Sequence, residues 1–177
     1  MNFNYLIILF FGLFWSCNHP ESKEYENENK TKTVKNEEIN TSSFFLVTKV
    51  IDGDTFYCVD NENVEYKIRL IGIDTPELRN YGKRKKGYYA IEAKEYLSNL
   101  IDNKIIKLEF DVDKYDQYNR LLAYVYLEDN TFINAELVKN GFARIMTIQP
   151  NSKYSDIFYQ LQLEARDKKI GIWNEVN

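Results

Sequence analysis

A chain of 177 residues has room for one domain with a proper core, not two. Its net charge of −4 argues against a protein held on nucleic acid by a broad cationic face, since non-specific affinity comes mainly from neutralised phosphates; a small local site remains open. The single histidine, His19, and the two cysteines speak against zinc and imply no disulfide framework.

The first 17 residues carry no charge, and Tyr5 to Trp15 is an apolar run broken only by Gly12. Those 11 residues are too few to span a bilayer, which takes about 20, and they fit the h-region of a secretory signal. The run ends in Leu13-Phe14-Trp15-Ser16-Cys17, which resembles a bacterial lipobox and makes Cys17 the expected lipidation site. An ordinary cleaved signal or an uncleaved anchor is the alternative. Residues 18–43 are mostly Asn, Glu, Lys, Ser and Thr, with Val34 and Ile39 as the only aliphatics. Such a stretch buries too little to order itself and is expected to be a polar, disordered tether. Its six Glu against four Lys leave −2, so residues 44–177 carry the other −2 of the chain's −4. The organisation expected is therefore signal (1–17), tether (18–43) and domain (44–177). It places the protein outside the cell, in the envelope, lipid-anchored at the outer membrane or cell surface. Cys58, within Thr55-Phe56-Tyr57-Cys58-Val59, is read as a small packed side chain, and nothing favours a Cys17–Cys58 pairing.

Phe44 to Ile51, Thr55 to Val59 and Val64 to Ile71 are rich in β-branched and aromatic residues, separated by Asp52-Gly53-Asp54 and Asp60-Asn61-Glu62-Asn63. That punctuation predicts three consecutive antiparallel strands. Ala90, Ala93, Tyr96, Leu97 and Leu100 recur at helical spacing, predicting an amphipathic helix over Tyr88 to Leu100 after Gly87. Lys104 to Phe110 and Leu121 to Leu127 return to strand character. A short helix is predicted from Asn134 to Asn140, capped by Asn134 and stopped by Gly141. A last helix, Ser155 to Lys169, would bury Ile157, Phe158, Leu161 and Ala165. The fold class expected is α+β, mainly β: five short strands closed into a small barrel with helical flanks, with a sandwich as the alternative.

The chemistry concentrates where the third strand ends. Arg69, Asp74 and Glu77 fall within nine residues, downstream of Asp54 and upstream of Arg120. Two cations and three carboxylates suit attack on a phosphodiester. Its phosphorus already carries negative charge, so a carboxylate base alone is repelled; guanidinium groups and a hard cation neutralise the phosphoryl oxygens first. Asp54 follows a turn and Asp74 ends a strand, so both can project toward one point and offer oxygens to calcium or another hard cation. Pro76 fixes the backbone and disfavours helix at Thr75, holding Glu77 on a rigid extended turn. Alternation puts Ile68 and Leu70 on one face of the strand and Arg69 on the other. Asp52 is read as structural, pointing away or capping its turn.

Val50-Ile51-Asp52-Gly53-Asp54-Thr55, then Ile68-Arg69-Leu70 with Asp74-Thr75-Pro76-Glu77, then Asp116-Gln117-Tyr118-Asn119-Arg120 together resemble the staphylococcal nuclease family, over roughly Phe44 to Trp173. The resemblance implies an OB-fold barrel with three helices and a calcium site made by Asp54, Asp74 and the Thr75 carbonyl. It also implies Glu77 as the base or orienter of the attacking water, and Arg69 and Arg120 on the scissile phosphate. Tyr118 would pack over the nucleotide, and the basic run holding Lys83 and Arg84 would steer phosphates. Cleavage of DNA or RNA leaving 3′-phosphate ends follows from the same likeness. The pattern departs at Gln117, where the family has Lys, and at Thr147 and Gln149, which stand where it has tyrosines. Base preference is expected to differ. The reading is a calcium-dependent, monomeric, lipid-anchored phosphodiesterase with no protein partner implied. Its rivals are a non-catalytic OB-fold module that grips nucleic acid, and an envelope lipoprotein that uses the metal only for stability.

Overall fold

Alternating burial along the first strand, with Phe45, Val47 and Val50 inward and their neighbours outward, is the signature of a sheet with one face in a core. In the computed structural model, which describes residues 44–78 and 87–174, this strand is β1 (Phe44–Asp52), followed by β2 (Thr55–Val59) and β3 (Glu65–Leu70). They pair antiparallel in sequence, as expected. β5 (Ile105–Glu109) pairs with β1, and β6 (Leu121–Leu127) pairs with β5. The ring closes through a parallel pairing of β3 with β6. The result is a closed five-stranded barrel in the order β1-β2-β3-β6-β5, with no free edge among those strands. Register shifts in β1, between Val47 and Lys49 and between Val50 and Asp52, bend it as closure demands. Phe45, Phe56, Ile68, Ile106 and Leu121 fill the interior, each worth roughly 1.5–3 kcal/mol of burial. Cys58 is among them, buried and free.

Three helices flank the barrel. α1 (Ala90–Ile101) lays Ala93, Leu97 and Ile101 toward β1. α2 (Ile133–Lys139) ends at Gly141, whose φ of 70° suits a residue without Cβ. α3 (Ser155–Asp167) buries Phe158, Gln162 and Ala165. β4 (Ile73–Asp74) and β7 (Arg144–Ile145) form a separate two-stranded ladder.

Two expectations are corrected. Asn134 does not cap α2: the cap position is Phe132, and Asn134 lies inside the helix, fully buried. Its amide donates to the Ile71 carbonyl at 2.9 Å and its carbonyl accepts the Val125 N–H at 3.0 Å. A buried amide with partners on two elements holds more there than at a cap. Ile157 is 49% exposed; Gln162 takes the inward position, its side-chain oxygen accepting the Ile145 N–H at 2.9 Å.

Candidate active site

The Asp52-Gly53-Asp54 turn between β1 and β2 and the segment after β4 meet at one end of the barrel. Their contact is close: a Cβ on Gly53 would lie 2.8 Å from the Thr75 hydroxyl oxygen. That approach puts Asp54 on Thr75. Asp54 Oδ2 accepts the Thr75 backbone N–H at 3.0 Å and its hydroxyl at 3.1 Å. It also lies 3.0 Å from Arg69 Nη1. Asp54 Oδ1 accepts the Thr55 hydroxyl at 3.0 Å.

Arg69 is buried, at 7% exposure. Alternation does separate it from the barrel interior, but toward this site rather than toward open water. Its Nη1 donates to the carbonyls of Leu70 (3.1 Å) and Ile73 (2.9 Å), and Nη2 donates to Asp74 Oδ1 at 3.0 Å. A guanidinium so deep must be matched in charge and hydrogen bonds, and Asp54 and Asp74 do both. Arg120 arrives from the turn before β6. Its Nε and Nη2 each lie 2.7 Å from Asp116 Oδ2, and Asp116 Oδ1 accepts the backbone N–H of Arg120 and of Tyr118, both at 2.9 Å. Burial raises the Asp116 carboxyl, but these hydrogen bonds and the Arg120 charge outweigh it and hold the group below the usual carboxylate range. The Tyr118 ring, 71% exposed, lies with its centroid 5.4 Å from the Arg120 guanidinium carbon.

Asp54, Arg69, Asp74, Thr75, Glu77, Tyr118 and Arg120 line a single open cleft of about 470 Å³. The described candidates for metal, catalysis and nucleotide stacking are therefore in one place. Lys83, Arg84 and Cys17 lie outside the described residues.

Asp52 corrects the sequence reading. It does cap its turn, accepting the Asp54 N–H at 3.3 Å, yet it also lines the cleft. Burial, with the adjacent Asp54 charge, pushes its carboxyl from 3.8 up to about 6. Asp116, as the holder of Arg120, was also missed; the Asp-to-Arg spacing of four was its available signal. Gln117, Met146, Ile148 and Gln149 border a second hollow of about 330 Å³, which shares Arg69, Arg120 and Met146 with the cleft.

The donor chemistry fits a hard cation. All four acidic side chains of the cleft are carboxylates, with no thiol or imidazole among them. Oδ2 of Asp54 is taken by three partners, whereas Oδ1 accepts one and keeps a lone pair for an ion. Among the described residues no three acidic, His or Cys side chains converge into a ready ligand cluster. Such a site leaves much of the coordination shell to water and substrate.

The family model for staphylococcal nuclease homologues matches residues 67–175. The chain belongs to the staphylococcal nuclease family. It is 39% identical to a thermonuclease of Staphylococcus intermedius over 136 residues, covering 73% of this chain and 75% of that protein. It is 34% identical to endonuclease YncB of Bacillus subtilis, over 87% of this chain and 73% of that one. An uncharacterised protein of Methanocaldococcus jannaschii, MJ1439, is 32% identical over 74% of this chain and 72% of its own length. Membership of the staphylococcal nuclease family agrees with the closed barrel and its three helices.

Proposed function

We propose that this protein is a calcium-dependent endonuclease that hydrolyses DNA or RNA by attack of water on the phosphodiester. One observation carries the reading: two arginines and the Asp54, Asp74 and Glu77 carboxylates line the same cleft, the set that phosphoryl transfer to water needs. Membership of the family, with relatives named a thermonuclease and an endonuclease, supports it.

Asp54, Asp74 and the Thr75 carbonyl would hold the calcium, which supplies positive charge against the phosphoryl oxygens. Glu77 is exposed and opens onto the cleft, and it takes the proton of the attacking water, an effect worth about 10²- to 10⁴-fold. Arg69 and Arg120 face the phosphate. Because their positions are fixed beforehand by Asp54, Asp74 and Asp116, little reorganisation is left when charge builds at phosphorus. The 5′ oxygen leaves with a proton from solvent, and the other product keeps a 3′-phosphate. Tyr118 offers an exposed ring for a base. A signal ending at Cys17, lipid attached there, and a tether over 18–43 would carry this domain on the outside of the cell as a monomer.

Incubation of plasmid and of single-stranded oligonucleotide with the protein in calcium, magnesium or chelator tests the reading. Cleavage in calcium alone, with 3′-phosphate ends by mass spectrometry, is expected. A folded protein that binds oligonucleotide and leaves it intact in calcium would turn the reading toward a binding module.

A further inference from the structure

The cleft has a third neighbour. Asp74, Thr75 and Pro76 form one wall of the cleft and also one wall of a separate open hollow of about 160 Å³, completed by Gly87, Tyr88 and Arg144. The larger hollow joins the cleft through different residues, Arg69, Arg120 and Met146. Three hollows thus run in series, with the catalytic set in the middle. A strand whose phosphate lies at Arg69 and Arg120 must leave the cleft in two directions, and this hollow borders the second.

Its two principal side chains suit a nucleotide. Arg144 opens β7 and stands opposite Asp74 in the ladder, while Asp74 Oδ1 accepts from Arg69. The Arg144 side chain is exposed, and among the described residues it has no carboxylate partner. Its guanidinium lies 5.6 Å from the centroid of the Trp173 ring, which steadies it without neutralising its charge. Tyr88 is 51% exposed and leans on Tyr89, which in turn stacks on Phe142. An aromatic ring anchored from behind with a face to solvent is what base stacking uses. The hollow is tied to the catalytic turn: the Gly87 N–H donates to the Glu77 carbonyl at 2.8 Å, and a Cβ on Gly87 would meet Pro76 Cβ at 2.5 Å.

We propose that the hollow framed by Tyr88 and Arg144 is a second nucleotide subsite, holding the base and phosphate that adjoin the scissile link on the side of the Asp74–Pro76 turn. The proposal rests on the nuclease reading. Arg144 pairs with the neighbouring phosphate through its planar fork, and Tyr88 stacks the base. Strands extending both ways from the cut are then held better than those extending one way.

The test uses a single-stranded octanucleotide and two isomeric small substrates, the 3′- and the 5′-(p-nitrophenyl phosphate) of one nucleoside, which place a nucleoside on one side of phosphorus only. For Tyr88→Ala and Arg144→Gln, KM on the octanucleotide should rise about five- to tenfold with kcat little changed. The Tyr88→Ala penalty should be confined to one of the two isomers; neither isomer carries a neighbouring phosphate, so Arg144→Gln should leave both unchanged. The slope of log kcat/KM against log salt should flatten by about 0.7 for Arg144→Gln and stay put for Arg144→Lys, which keeps the charge. Equal effects of Tyr88→Ala on both isomers, or an unchanged octanucleotide KM in both variants with an unchanged salt slope in Arg144→Gln, would overturn the subsite while leaving the nuclease reading intact. Wild-type protein that cleaves none of the three removes that reading and the subsite with it. Because Arg144 touches Trp173, Tyr88→Ala supplies an independent measure should Arg144→Gln fold poorly.

Discussion

Arg69 and Arg120 differ in what they support, and that decides which substitution informs. Arg69 is buried beside the buried Asp54, so removing it leaves that carboxylate without its charge partner and costs about 3–5 kcal/mol of stability; loss of activity in Arg69→Ala would not separate folding from catalysis. Arg120 is partly exposed and held by Asp116 of its own turn. We expect Arg120→Lys to lose at least about tenfold in kcat with an unchanged melting temperature, because an ammonium cannot copy a planar fork. Steady-state rates within twofold of wild type would remove its role. Asp52 makes a pH prediction. Its carboxyl is raised from 3.8 to about 6, so the native state binds that proton more tightly than the unfolded chain. In chelator, this group's contribution to stability therefore falls as pH rises from 3.8 through about 6. Asp52→Asn should melt higher than wild type above pH about 6 and converge with it near pH about 4. Thermal melts showing the same gap at both pH values would contradict the assignment. The signs run the other way for Asp116, whose depressed carboxyl supports the fold at neutral pH and ceases to as the solution is acidified.

Elements were readable where a period was long enough to show. The barrel strands, with alternating Phe45, Val47 and Phe56, Cys58, and α1, with Ala93, Leu97 and Ile101, announce themselves in the residue pattern. β4 and β7 do not, since two residues each carry no period. Asn134 misled because Asn before an apolar run reads as a cap, whereas its burial depends on Ile71, which lies 63 positions away. Asn134→Leu should destabilise by about 1–3 kcal/mol, leaving the Ile71 carbonyl and Val125 N–H without that partner; a chemical-denaturation midpoint equal to wild type would contradict this. The cleft itself was legible as a set of residue types and spacings. Its geometry was not, because Asp54 reaches Thr75 across 21 positions through a contact that only the glycine at position 53 permits. Gly53→Ala should therefore disturb both stability and calcium response. A variant with wild-type calorimetric calcium binding would show that the turn tolerates a Cβ.

For the molecule as a whole, the proposed calcium site in a carboxylate-rich cleft at one end of a closed barrel carries a stability prediction. Ligand at about 100 times its dissociation constant adds about 2.7 kcal/mol, so calcium should raise the melting temperature, and Asp54→Asn should abolish most of that rise. The net charge of −4 implies that grip on nucleic acid comes from a few cations near the cut, not from a field spread over the surface. Single-turnover cleavage of a single-stranded oligonucleotide in saturating calcium, by wild type and by Glu77→Gln, tests most directly whether this cleft does the chemistry. The expected result is a rate in the Glu77→Gln protein lower by about 10²-fold or more with binding of the oligonucleotide retained. Equal rates for the two proteins, or a wild-type rate unaffected by chelator, would contradict it.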